Sequence, residues 1–410
     1  MREAQYTIQI TCRKATNLAA LVFAFALILS ACTTQQPSEF LTLDIEAGFA
    51  NQKKMVLSEI ADRISYVKLE TSPECLIGHG RVLVRGDKVF VMEVQPPVIH
   101  VFNLQGEFLY KIDKQGKGPG EYMGMFQWSI NPSGSHIAFT DLVYVELYLF
   151  TAEGEFVNKG KPLLQWNSGF FLNDEINLSV TTVQMLNRPN YPLVLNYSDQ
   201  LKQIDTLITR TWHGVDARDM PFPGVPILSY QYNDQLFIRE QANDTLFQVS
   251  LDEGLIPRVV FNTHGKLITQ DALFANDINN YYRLNSFWET DNYLTFTVWY
   301  KKKFTLLYYD KKKDELFSLP DVYVPYGRKD HIADLNNDLD GFNYPWSKID
   351  QDQGSLTSIH QMTDLKELEE TGFFEKEEVL ATPHGKELGE LVETSSIEDN
   401  PIVRIVYLKN

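Results

Sequence analysis

The sequence predicts an all-β fold: a six-bladed β-propeller of four-stranded antiparallel blades, with a C-terminal helical insertion. Three observations lead there. A stretch recurs at a fixed period, hairpin turns stand at matched places inside each copy, and an early strand has no neighbour in sequence to pair with. The period is 48 residues and sets 99–111 against 147–159, where five of 13 positions are identical: Phe102/Phe150, Gly106/Gly154, Glu107/Glu155, Phe108/Phe156 and Lys111/Lys159. Ordinary composition would give about one. The same shift sets 89–93 on 137–141 without a gap, so two strands and a hairpin repeat together. One such unit cannot bury both of its faces alone, and units at this spacing stack as propeller blades.

The chain begins with Arg13 and Lys14, an apolar run from Leu18 to Leu29, and the small pair Ser30 and Ala31. The run falls short of the about 20 residues that a membrane-spanning helix needs, and its flanks are those of a signal peptide. Leu29-Ser-Ala-Cys32 is similar to the bacterial lipobox, in which small residues let a peptidase reach the bond before a lipidated cysteine. That resemblance implies a lipoprotein signal peptide over 1–31 and Cys32 as the mature N-terminus and membrane tether, since two or more acyl chains anchor stably. Residues 32–56, opening with Gln35, Gln36, Pro37 and Ser38, keep no periodicity and read as a flexible tether. The propeller is expected over 57–410.

Alternation then starts, with Ile64, Val67 and Leu69 marking a strand. Its expected partner is the last strand, Ile402 to Leu408, because pairing the two ends closes the ring and removes an exposed edge. Residues 88–159 hold two blades whose hairpins turn at Gly106 and Gly154, positions that tolerate positive φ. Further strands are expected at 193–197 and 201–207, at 235–239, 245–249 and 258–261, and at 293–299, 304–309 and 315–319. The lysine runs 301–303 and 311–313 fit solvated hairpin tips. A sixth blade collects 355–362 with the two chain ends. Helical periodicity over 363–370 and 385–392 marks an insertion across one face, with Thr363 as a plausible cap.

Composition excludes some functions. A net charge of -17 leaves no broad basic surface to neutralise phosphates, so nucleic acid is not an expected partner. Of three cysteines, Cys12 lies in the leader, Cys32 closes it, and Cys75 alone remains in the folded part, where it fits a small buried hydrophobe and allows no internal disulfide. Gly116, Gly118 and Gly120 lack the Gly-Lys-Ser/Thr ending of a phosphate loop, and Pro119 removes a donor; a rigid loop between blades fits better.

The F-x-x-x-G-E-F of 102–108 with G-K-G-P-G-E-Y at 116–122 resembles the six-bladed β-propeller lipoproteins abundant in Bacteroidetes, relatives of NHL-type propellers. The stretches 243–249 with 257–260, 291–296, and 337–341 ahead of Pro345 and Trp346 resemble the same family. The likeness runs over 57–410. It implies the fold and export and carries no shared catalytic motif; the expected location of the lipid-anchored chain is the bacterial cell envelope, at the outer membrane.

The eight histidines show neither H-x-H nor H-E-x-x-H, so no local zinc-protease motif is present. His100 occupies the repeat position of Tyr148 and fits a structural role. Asn336, Asp338, Asp340 and Gly341 copy the first half of a calcium loop, but Ser347 stands where the bidentate Glu belongs. No cofactor is expected, calcium being the one candidate. Asn337, Asp338 and Asp340 with Trp346 and Trp212 form the candidate ligand face, beside the channel mouth. Trp166, Trp212 and Trp346 are candidate sugar platforms, and the stretch from Arg210 to Pro226 reads as a long exposed loop of the kind that binds. The expected function is a non-catalytic, monomeric envelope lipoprotein that binds a glycan, peptide or partner protein. The alternative is a metal-dependent propeller lyase or esterase that gathers distant His and carboxylates at the axis. Metal content and a glycan screen separate the two.

Overall fold

A computed structural model of the chain describes residues 40–141, 143–161, 167–185, 191–210, 224–250, 252–269, 272, 278–320, 322–326, 329–333, 335–342, 350–352 and 354–409. The chain divides into Met1–Leu41 and Thr42–Asn410, and the propeller belongs to the second unit.

Six four-stranded antiparallel meanders follow one another. Blade 1 is Gly80–Arg85, Lys88–Val94, Pro97–Asn103 and Phe108–Ile112; blade 2 is Trp128–Ile130, His136–Asp141, Glu146–Thr151 and Phe156–Gly160. Blade 3 is Asn167–Leu172, Leu178–Met185, Tyr191–Tyr197 and Gln203–Arg210; blade 4 is Gly224–Tyr232, Gln235–Glu240, Thr245–Ser250 and Gly254–Asn262. These two share a seam where Val183 and Met185 pair with Pro226 and Gly224. Blade 5 is Arg283–Glu289, Tyr293–Tyr300, Lys303–Asp310 and Glu315–Ser318. Blade 6 is Asp350–Asp352, Ser355–His360 and Ile402–Leu408, completed by Ala61–Lys68 from the other end of the chain. In that closure Ile64 stands opposite Val406 and Val67 opposite Val403. The first strand of each blade is innermost, as the approach of first strands in neighbouring blades shows.

Large side chains between blades hold the ring together. Phe90, Ile99, Tyr122, Phe139, Tyr148 and Phe150 fill the space between blades 1 and 2, and Val67, Val89, Phe102, Val403 and Ile405 join blade 6 to blade 1. Each fully buried aliphatic or aromatic side chain contributes about 1.5–3 kcal/mol, so the seams and not the single sheets carry the stability. The repeated hairpins keep one geometry. Gly106 and Gly154 have φ of 85° and 86°, and Phe102 meets Phe108 edge-on at 5.6 Å as Phe150 meets Phe156 at 5.7 Å.

The stretch expected as a tether through 56 is folded from residue 42 onward. Strand Leu41–Asp44 joins the outer strand of blade 4. Helix α1 (Ile45–Ala50) follows, its first turn capped by Asp44, which accepts from Ala47 N at 3.0 Å. Gly48 lets α1 lie close on Leu307 and Leu316 of blade 5, and Lys53 N donates to Ser318 O at 2.9 Å. Helix α2 (Leu57–Ile60) then leads into blade 6. Leu43, Ile45, Met55 and Leu57 are all buried, but their spacing follows no single period, which is why the polar composition around them reads as tether.

The insertion lies between the second and third strands of blade 6. It holds α3 (Met362–Glu370), a 3-10 turn Phe373–Glu375, α4 (Glu377–Leu380) and α5 (Gly385–Glu393). Leu388 and Val392, one helical turn apart on α5, pack with Phe374, Met362, Leu365 and Phe342. The expected helices at 363–370 and 385–392 are present.

Candidate functional site

A four-stranded meander fixes which connections share a face. Turns between second and third strands lie with the links between blades on one face, called upper here; the other two kinds of hairpin lie on the lower face. Exposed large apolar side chains are more numerous on the upper face. Of twelve among the described residues, Leu76, Val94, Phe126, Val143, Tyr144 and Phe304 stand at upper-face turns and links, and Leu380 and Ile397 stand in the insertion, itself an upper connection. Leu109, Phe156 and Val157 stand at the start of outer strands, next to lower-face hairpins, and Phe40 precedes the first strand. Single exposed apolar residues need no explanation, but their collection on one face marks an interaction surface.

Buried carboxylates stiffen that surface. Asp141 ends the second strand of blade 2, fully buried, and accepts from Met123 N at 2.7 Å, Val143 N at 2.7 Å and Tyr144 N at 3.3 Å. One side chain thereby fixes the link and the turn that present Phe126, Val143 and Tyr144. Glu93 stands at the same place in blade 1, accepts from Gly78 N at 2.7 Å and pairs with His100 Nε2 at 3.1 Å. His100 is buried against Phe108. Glu240 ends the second strand of blade 4 and is buried too. The 48-residue shift already equates Glu93 with Asp141; sequence reasoning used that match for register and missed its role.

A cleft of about 660 Å³ opens on the upper face of blade 4, between its upper turn and the link that follows its outer strand, lined among others by Asp244, Phe261, Asn262, His264, Leu267 and Ile268. That volume lies in the range of small-molecule and peptide-side-chain pockets. Behind Phe261 lies Arg239, fully buried, its guanidinium 6.0 Å from the ring. It donates to Leu284 O at 3.2 Å and Gln241 O at 3.1 Å, and burial lowers its pKa to about 9.

The lower face is clamped by charge. Glu289, its side chain fully buried, accepts from Tyr230 at 2.8 Å and from Arg258 Nη1 at 2.8 Å, with Lys311 Nζ at 2.6 Å. Burial, and then the Glu289 carboxylate, push the Tyr230 phenol well above its ordinary value.

The structure brings Asn337, Asp338 and Asp340 into one turn and commits each to internal partners. Asn337 Nδ2 donates to Phe342 O at 2.9 Å and to Asp340, while its Oδ1 accepts from Leu339 N at 3.0 Å and Asp340 N at 3.2 Å. Asp338 accepts from Ser58 N at 2.9 Å and from its hydroxyl. Asp340, fully buried, holds Tyr66, Arg404 and Phe342 N. Burial, followed by Asp340, raises the Tyr66 phenol well above its ordinary value. The turn thus joins α2, the closing strand and the insertion. Trp346, Trp212, Trp166 and Cys32 lie outside the described residues, as does most of the 210–226 loop. Cys75 is buried, with Sγ 3.1 Å from Glu70 O. Among the described residues no three His, Cys, Asp or Glu side chains converge as a metal site, and no helix is long and apolar enough to cross a membrane.

Comparison with known proteins gives the family. A family model described as Domain of unknown function (DUF4934) matches residues 40–407, and the chain belongs to that family. No curated protein matches the chain. Among solved structures, a candidate exported protein from Bacteroides fragilis is similar at 17% identity and a TM-score of 0.63, over 90% of this chain and 99% of that one. A member of the DUF4221 family from Bacteroides vulgatus matches at 10% identity and a TM-score of 0.49, over 85% of this chain and 98% of that one.

Proposed function

We propose that this propeller is a non-catalytic, lipid-anchored envelope protein, tethered through Cys32, whose upper face binds a protein or peptide partner. The observation that carries the reading is the excess of exposed apolar side chains on the upper turns, links and insertion, eight against three beside the lower hairpins among the described residues. Five of those eight side chains, Leu76, Val94, Val143, Leu380 and Ile397, are aliphatic, a composition that suits a protein surface better than a sugar, which stacks on aromatic rings. Asp141 and Glu93 hold parts of the surface in place before any partner arrives, which lowers the ordering cost of association. The Bacteroides fragilis neighbour is described as exported, in keeping with the leader and the lipobox-like Leu29-Ser-Ala-Cys32.

Hydrogen exchange tests the face. A peptide selected from a display library against the full chain is expected to protect amides at 76–80, 94–97, 123–126 and 142–146, and to leave the lower hairpins unchanged. Protection confined to the lower face would reject the assignment. The anchor is tested by Cys32→Ala, which is expected to abolish incorporation of labelled palmitate and to release the protein from the membrane fraction. Continued labelling would reject it.

A further inference from the structure

We infer that the upper hairpin of blade 5, Tyr300–Lys303, is the docking point for an acidic segment of the partner, laid between this hairpin and the cleft beside blade 4. The inference rests on the upper face being the binding face and adds the chemistry of what binds there. Three observations carry it.

The first is a violated backbone preference. Tyr300 pairs with Lys303 across a two-residue turn whose central residues, Lys301 and Lys302, have φ of 51° and 64°. Such turns favour Asn and Gly because a Cβ is strained at positive φ. Blade 4 follows the preference more closely, with Asn233 and Asp234 at φ of 49° and 58° in its lower hairpin. Two lysines at strained positions, where a better residue is available, are expected where side-chain charge matters more than stability.

The second is the contrast with the other lysine run. On the lower face Lys311 pairs with Glu289 and Lys313 with Asp310. On the upper face Lys301 and Lys302 are exposed and have no carboxylate partner among the described residues. Lys301 instead lies 5.1 Å from the Tyr300 ring.

The third is continuity. Tyr300 meets Tyr282 at 4.7 Å, Tyr282 lies under Lys266 at 5.8 Å, and the following residue, Leu267, lines the cleft. An aromatic ridge therefore runs from the lysine tip towards a cleft backed by the buried Arg239; Lys266 beside it is paired with Glu46, so the ridge's positive charge left without a carboxylate among the described residues is that of Lys301 and Lys302. Exposed Phe304 beside the tip, edge-on to Trp299 at 4.3 Å, adds an apolar contact. In a chain of net charge -17 the Lys301–Lys302 tip is a local positive site. Glu46 and Asp44 are taken up by Lys266 and His264, and screening over about 8 Å at physiological salt weakens the pull of more distant carboxylates on the tip.

The probe is a fluorescein-labelled decapeptide alternating Glu, Leu and Asp, titrated by anisotropy into the full chain beside a counterpart with Lys for each acid. The acidic peptide is expected to bind at least tenfold tighter than the basic one and to weaken at least tenfold between 50 and 300 mM NaCl. The double variant Lys301→Asn, Lys302→Gly keeps the turn, so it is expected to raise Tm by about 3 °C while weakening the acidic peptide at least fivefold. Lys312→Asn, on the lower face, is expected to change neither. Equal binding of the two peptides, undiminished binding by the double variant, or heparin binding without peptide binding would each overturn the inference, the last in favour of an anionic glycan. If amide protection stays on the upper face while the double variant binds normally, the subsite fails and the face stands; protection on the lower face removes both.

Discussion

Asp340 and Arg404, 64 residues apart in sequence, form a buried ion pair where the helical insertion meets the ring closure: Arg404 Nη2 donates to Asp340 Oδ1 at 3.2 Å, and Nε lies 2.9 Å from Oδ2. Tyr66, from the opposite end of the chain, donates to the same carboxylate. Removing one member of such a pair leaves a charge buried without its partner, at a cost of about 3–5 kcal/mol. Asp340→Ala is therefore expected to lower unfolding stability by that amount in urea denaturation. Asp340→Leu combined with Arg404→Met removes both charges and is expected to recover most of it. A single-variant loss under about 1 kcal/mol would mean that water reaches the site and that the pair is not a keystone of the closure.

Much of the ring was legible from local signals. The 48-residue repeat, the hairpins at Gly106 and Gly154, the closing strand around Ile64 and both long helices of the insertion rest on periodicity and turn chemistry, which neighbouring residues encode. Asn337, Asp338 and Asp340 stand out in sequence for the same reason, as a dense string of polar residues with loop spacing. Their partners are not local: Ser58, Tyr66 and Arg404 come from other parts of the chain, and no spacing rule announces a contact across 274 residues. The apolar face was invisible for a related reason. Leu76, Val94, Phe126 and Val143 are single residues in separate connections, and only the topology collects them.

The strap over 42–53 is expected to open in acid. Its Asp44 carboxyl is held below its ordinary value by the Ala47 N–H, despite some desolvation, and by His264 at 2.9 Å. Glu315 is likewise lowered, by hydrogen bonds from Lys53 and Asn51. A carboxyl lowered in the folded state contributes fully above its unfolded value near 4 and loses that contribution as pH falls through the folded value. Protection of the α1 amides, measured against the intrinsic exchange rate at each pH, should be high at pH 6 and fall near pH 3, ahead of that in the blades. Asp44→Ala should lower that protection already at pH 6. Simultaneous opening of strap and blades would show instead that the strap is part of the cooperative core.

The clamp on Glu289 makes a different demand on its neighbours. Its carboxylate answers two cations, Arg258 and Lys311, and a phenol. Glu289→Gln keeps the shape and removes the charge, so both cations face a neutral amide and Tyr230 keeps a hydrogen-bond acceptor. Arg258 and Lys311 are 30% and 23% exposed at the side chain, so water compensates them in part. The expected loss in urea denaturation is about 1–3 kcal/mol, the cost of leaving buried charge-assisted hydrogen bonds unmade. A neutral effect would show that the cations turn wholly to solvent.

Gly106 and Gly154 occupy the same place in the repeat and share nearly the same φ, so alanine at either site carries the same local strain, about 1–2 kcal/mol. Their surroundings differ. A Cβ at Gly106 would stand 2.0 Å from Lys68 O, a backbone atom of the closing strand, whereas one at Gly154 would stand 3.1 Å from the Ile112 side chain. A side chain can turn aside, but the Lys68 carbonyl is fixed by a strand paired along its length with Ile402–Leu408. Gly106 O also accepts from Glu70 N at 2.8 Å, which ties the hairpin of blade 1 to the end of that strand. Gly106→Ala should therefore lower stability by at least about 1–3 kcal/mol more than Gly154→Ala, the usual cost of forcing atoms into a packed site. Parallel urea denaturations of the two variants measure the difference directly. Equal losses would mean that the closing strand shifts to admit the methyl group, and that the seam between blades 6 and 1 is more compliant than its pairing implies.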